Sequence, residues 1–113
     1  MNNTYKTAAG GLTVTFAATD QGLFLAGLTD EVSSRTYLRE IQPLFSLEYE
    51  CLESGERATV SSADGWTVAA VDAGKDARQF ILSGCAKLPD VIVTLTVRGG
   101  DTRIVYELSL SSA

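Results

Sequence analysis

Four glutamates lie close together in the chain, and two of them have the spacing of a chemical pair. Glu48 and Glu50 sit two residues apart in an alternating run, so they share one face of a strand, with Glu53 and Glu56 just beyond. Two carboxyl groups about 5–9 Å apart are the raw material of glycoside hydrolysis. On an outward strand face, the same pair serves more simply to keep a sheet soluble and to discourage edge pairing. The solvated-face reading is the expectation, and a small enzyme using Glu48, Glu50 or Asp64 is the lesser alternative. Trp66, the sole tryptophan, follows Ala63-Asp64-Gly65. Exposed beside that turn, its indole plane would stack on the apolar face of a sugar ring; otherwise it is a core anchor, as most tryptophans are. Arg35 and Tyr37 fall in another turn region, where they are either ligand hydrogen-bonding groups or ordinary loop residues. Arg35, Tyr37, Asp64 and Trp66 are therefore the candidate ligand-binding residues.

Several chemistries are excluded. The 113 residues include no histidine, which removes the commonest general base and the usual Ser–His and Cys–His nucleophile pairs. No phosphate-binding loop, dinucleotide fingerprint or calcium loop occurs, and Gly10-Gly11 is an isolated pair. Cys51 and Cys85 are too few for a zinc site. They form either a disulfide or a pair of buried thiols acting as small apolar residues. No cofactor or metal is expected. The net charge is −5, and the nine basic residues are scattered. They neither track a phosphate backbone nor pave an anionic membrane surface, so neither nucleic acid nor membrane is expected as a partner.

The elements that must position these residues repeat with period two. Leu12, Val14 and Phe16 form one alternating set, and Phe45, Leu47, Tyr49 and Cys51 another. Val91, Val93, Leu95 and Val97 form a third, and Ile104, Tyr106, Leu108 and Leu110 a fourth. Each set predicts a strand with one apolar face on a core. Gly22 to Leu28 is apolar on both faces, which suggests a central strand covered on both sides. Shorter strands are expected at Thr36–Arg39, Ala58–Ser61, Trp66–Val71 and Gln79–Ser83. Ser34 to Ile41 carries a weak helical alternative, and both chain ends read as irregular for a few residues. In the last hairpin a two-residue Gly99-Gly100 loop pairs Leu95 with Ile104, Val93 with Tyr106 and Val91 with Leu108. An odd loop would set Val93 against Glu107, so the apolar pattern requires an even one. Short strands between frequent turns give the fold class: all-β, one antiparallel β-sandwich domain over residues 1–113.

The stretch Leu12-Thr13-Val14-Thr15-Phe16, then Gly22-Leu23-Phe24-Leu25-Ala26-Gly27-Leu28-Thr29-Asp30, Arg35-Thr36-Tyr37-Leu38 and Pro43-Leu44-Phe45 resembles the opening of the galactose-mutarotase-like β-sandwich domains attached to glycoside hydrolases and polysaccharide lyases. The family's domains are longer, and its sugar epimerases use histidine. The resemblance therefore implies a non-catalytic accessory module, either a fragment of a larger protein or a smaller sandwich built similarly. The N-terminus lacks the apolar core of a signal peptide, so the expectation is either a cytoplasmic protein or a piece of a longer, secreted or periplasmic one that carried the signal. The module's partners would be a carbohydrate and the catalytic domain of the parent chain. The alternative is an immunoglobulin-like structural or adhesion domain that binds protein partners, and fold class alone cannot separate the two.

Overall fold

The computed structural model describes residues 3–37, 40–74, 77–100 and 103–112. Eleven strands run through it: β1 (Asn3–Ala9), β2 (Leu12–Thr19), β3 (Gly22–Asp30), β4 (Arg35–Thr36), β5 (Gln42–Pro43), β6 (Ser46–Glu50), β7 (Arg57–Ser61), β8 (Thr67–Asp72), β9 (Ala77–Ser83), β10 (Val91–Gly99) and β11 (Ile104–Ser112). Among the described residues there is no helix, so the weak helical alternative at Ser34–Ile41 gives way to β4, with Leu38 and Arg39 outside the description. The first sheet follows the order β1-β2-β3-β4, with β5 also on β3; the second follows β11-β10-β9-β8; β6 and β7 form a separate hairpin. All pairings are antiparallel. Each sheet is thus a meander of consecutive strands, unlike the interleaved Greek-key order of immunoglobulin-type sandwiches.

The two sheets close on one apolar core. Val14, Phe16 and Ala18 of β2 and Leu23 of β3 meet Phe80 and Leu82 of β9 and Val93, Leu95 and Val97 of β10, joined by Val60, Trp66 and Cys85. The Phe16 and Phe80 rings are 5.4 Å apart between centroids, and Tyr5 meets Phe80 edge-on at 5.5 Å. These separations lie in the favourable range for tilted aromatic pairs.

A bulge explains part of the strand that is apolar on both faces. Along the β2–β3 ladder the partners are Val14↔Leu28 and Thr15↔Gly27, then Phe16↔Leu25 and Ala18↔Leu23, so Ala26 is the extra residue. A bulge advances the alternation by one. Leu23, Leu25 and Leu28 consequently all face the core, although a regular strand would turn Leu28 away from the other two. β3 is central, as expected; the parity switch accounts for Leu28, while Phe24, before the bulge, falls on the other face.

The last hairpin corrects the predicted register. Gly99 pairs with Ile104, Leu95 with Leu108 and Val93 with Leu110, leaving a four-residue loop of 100–103. The loop is even, as the apolar pattern requires, but longer than Gly99-Gly100. Gly99 stays in the strand because β1 crosses it there: a Cβ at Gly99 would overlap the Ala8 carbonyl oxygen. The N-terminal β1, expected to be irregular, is a full strand on β2, and Gly10-Gly11 is its hairpin turn.

Candidate functional site

Of the four predicted ligand-binding residues, the structure joins only two. Trp66 is 1 % exposed. Its indole N–H donates to the Ser61 carbonyl at 2.8 Å, and its backbone N–H to Gln21 at 3.2 Å. It is a core anchor with its hydrogen bond satisfied, and presents no face on which a sugar could stack. Asp64 occupies the same β7–β8 turn. Its Oδ2 accepts the Ser61 N–H at 2.6 Å and lies 3.6 Å from Lys87 Nζ. The Ser61 backbone hydrogen bond holds its carboxyl below the usual range; burial opposes it, and the Lys87 charge adds a lesser lowering effect. This is the chemistry of a turn clamp.

Arg35 and Tyr37 lie elsewhere. Arg35 pairs with Asp30 at the far end of β3, and Tyr37 donates its backbone N–H to Leu28 at 2.9 Å while the residue is 53 % exposed. The Gln21–Gly22 end of β3, which holds the Asp64 turn, is eight residue steps from Asp30, about 26 Å along an extended strand. The two pairs cannot share one small ligand.

The carboxylates of β6 behave as a solvated face. Glu48 and Glu50 are exposed, with Arg57 across the ladder from Glu50. Among the described residues no three His, Cys, Asp or Glu side chains come together as a metal site. The cysteines are not bonded to each other: Cys85 is buried, and Cys51 is exposed in the β6–β7 turn. The Ser54 hydroxyl, then the Ser54 and Glu53 backbones, draw the Cys51 thiol below its ordinary value.

An apolar concavity between β3 and β11 was not anticipated. Leu25 of β3, Leu44 and Phe45 of the β5–β6 link, Leu95 of β10, and Tyr106 and Leu108 of β11 line a groove of about 340 Å³. It exists because the sandwich stays open along this side. β4 and β5, the outer neighbours of β3, are two residues each, whereas β11 is nine. The inner face of β11 therefore extends past its cover: Tyr106 is 46 % exposed, Leu108 43 % and Leu110 58 %. Tyr106 meets Phe16 edge-on at 6.3 Å, and this partial burial pushes its phenol above the ordinary value.

Ser62 fixes the opposite wall. Buried just after β7, its hydroxyl donates to Leu23 O at 2.6 Å and accepts the Leu44 N–H at 2.7 Å and the Phe45 N–H at 3.4 Å. Its backbone adds bonds from Leu23 N and to Phe45 O, both 2.9 Å. Gly22 permits this approach: its φ is +140°, and a Cβ there would overlap the Ser62 carbonyl oxygen. The sequence signal for the groove was present in the apolar alternation of β11, but nothing in it tells a covered face from an open one. Comparisons with protein-family models, curated proteins and solved structures return no match, so the meaning of the groove rests on its geometry.

Proposed function

We propose that this chain is a non-catalytic β-sandwich module that binds protein partners through the apolar groove between β3 and β11. One observation carries the reading: Tyr106 and Leu108 line an uncovered groove whose described lining has no charged side chain, and Leu110 lies exposed further along the same strand. Contiguous exposed apolar surface of this kind marks protein contact sites. Sugar sites instead need several polar groups converging beside an aromatic plane. A neighbouring domain of a longer chain is one partner that fits, which keeps the supporting role implied by the resemblance.

The test is a pair of titrations followed by amide NMR. An extended peptide of alternating valine and threonine is expected to shift Leu25, Phe45, Tyr106 and Leu108, whereas a panel of neutral oligosaccharides shifts nothing. Oligosaccharide binding that moves Arg35 and Tyr37, with no response to the peptide, would replace this reading with the carbohydrate-module one.

A further inference from the structure

We infer that the outer edge of β11 pairs with β11 of a second copy, two-fold and antiparallel, joining the two β11-β10-β9-β8 sheets into one of eight strands. The inference rests on the interaction-module reading and names the partner.

β11 is nine residues long, ends its sheet, and has no described strand on its outer edge. Natural edge strands are usually protected by lysine, proline, bulges or brevity. β11 has none of these: its ladder with β10 is unbroken, and its only charge is Glu107. The sheet's other edge, β8, has six residues and ends in Asp72, 3.5 Å from Arg78. β1, at the edge of the first sheet, carries Lys6, with Arg78 lying 4.8 Å over its Tyr5 ring.

The backbone sets which residues would pair. Gly100 N–H donates to Arg103 O at 2.8 Å. By the alternation of antiparallel ladders, Val105, Glu107, Ser109 and Ser111 then bond to β10, while Ile104, Tyr106, Leu108 and Leu110 point their N–H and C=O groups outward. A two-fold pairing matches residues of equal parity, so outward groups meet outward groups and the apolar face continues across the joint.

Among such registers, the one centred on Leu108 uses the strand from end to end, with Ile104 opposite Ser112. It sets Leu108 against Leu108 and Tyr106 against Leu110, apolar on apolar. On the other face it sets Glu107 against Ser109. The register centred one residue earlier would oppose Glu107 to itself, a like-charge pair that destabilises a sheet. Arg98, 3.5 Å from Glu107, keeps that carboxylate paired within its own subunit. The strand is therefore complementary to itself in length, in apolar pattern and in charge.

Sedimentation equilibrium of the full chain from micromolar to millimolar concentration reads the assembly, and amide hydrogen exchange reads the edge. The mass is expected to climb from 12.0 kDa toward twice that value. Slowed exchange at Tyr106, Leu108 and Leu110 should follow the same concentration dependence. Leu108→Lys opposes two ammonium groups at the two-fold axis and should weaken the dimer by about tenfold or more, with Trp66 emission unchanged as the check on folding. A monomer throughout would overturn the inference, as would a dimer whose Tyr106, Leu108 and Leu110 amides exchange at the monomer rate. A monomer that still binds the valine–threonine peptide would end the self-pairing and leave the interaction module standing.

Discussion

β10 and β11 are adjacent strands with nearly the same composition rule and opposite fates. Val93, Leu95 and Val97 of β10 are buried, whereas Leu110, Leu108 and Tyr106, their partners across the ladder, are roughly half exposed. Both strands alternate apolar and polar residues, and both turn the apolar set to the same side of the sheet. What differs is the cover. β10 lies between two strands and shares the core with β2, whereas β11 lies at the rim, where Phe16, Leu25, Leu44 and Phe45 only partly cover it. Alternation specifies which way a side chain points, and the topology of the opposite sheet decides whether anything is there to meet it.

The contrast is broken most directly by paired truncations. Leu95→Ala should cost about 3 kcal/mol, the usual cost of truncating a buried leucine. Leu108→Ala, one step across the ladder, should cost under about 1 kcal/mol in the monomer, because solvent already reaches the site. Urea unfolding followed by Trp66 fluorescence measures both, and equal losses would erase the distinction. Ser62→Ala comes next. It leaves the Leu23 carbonyl and the Leu44 N–H without their hydroxyl partner, at about 1–3 kcal/mol by the same assay. It should also loosen Leu44 and Phe45, and so blunt the peptide response of the groove more than Leu82→Ala, in the core away from the groove, does.

A smaller effect reads the half-covered state of β11 itself. Burial raises the Tyr106 phenol, so the unfolded chain ionises first as pH rises through about 10 and binds fewer protons than the folded one. Stability held below that pH should fall above it, and Tyr106→Phe should flatten the fall in unfolding curves taken across the alkaline range. The cysteines repeat the inside–outside contrast. In the native protein a disulfide reagent should label Cys51 alone, and Cys85 only on unfolding. Ser54→Ala should slow the Cys51 reaction at neutral pH by returning its thiol toward the ordinary value.

Much of the architecture was legible in the residues. The alternations at Leu12–Phe16, Phe45–Cys51, Val91–Val97 and Ile104–Leu110 are all strands or lie largely within them, because a period of two has few other physical meanings. The parity of the last loop was legible for the same reason. Its length was not: adding two residues preserves every facing, and the choice depends on β1 crossing at Gly99, which no local pattern records. β1 escaped notice because its core-facing residues beyond Tyr5 are Thr7 and Ala9, too small to mark a hydrophobic period. The candidate site was the least legible part. Asp64 lies in a turn and Trp66 follows it, as the sequence indicates, yet the turn is tied to Gln21 and the indole turns inward to Ser61. The groove is made by the shortness of β4 and β5, and brevity in one region leaves no mark on the residues of another.

The meander order of the sheets has a consequence for how the protein is made. The first sheet uses only residues 3–43 and the second only residues 67–112. During synthesis the first sheet is complete while the strands that cover it are still untranslated, so Phe16 and Leu23 await β9 and β10 on a naked face. Partly made chains of this kind are prone to aggregation. An N-terminal half expressed alone should therefore be insoluble, and supplying the C-terminal half alongside it should rescue it. Of these eleven strands β11 is made last, so the face that stays open in the folded sandwich is exposed during synthesis for less time than that of the first sheet.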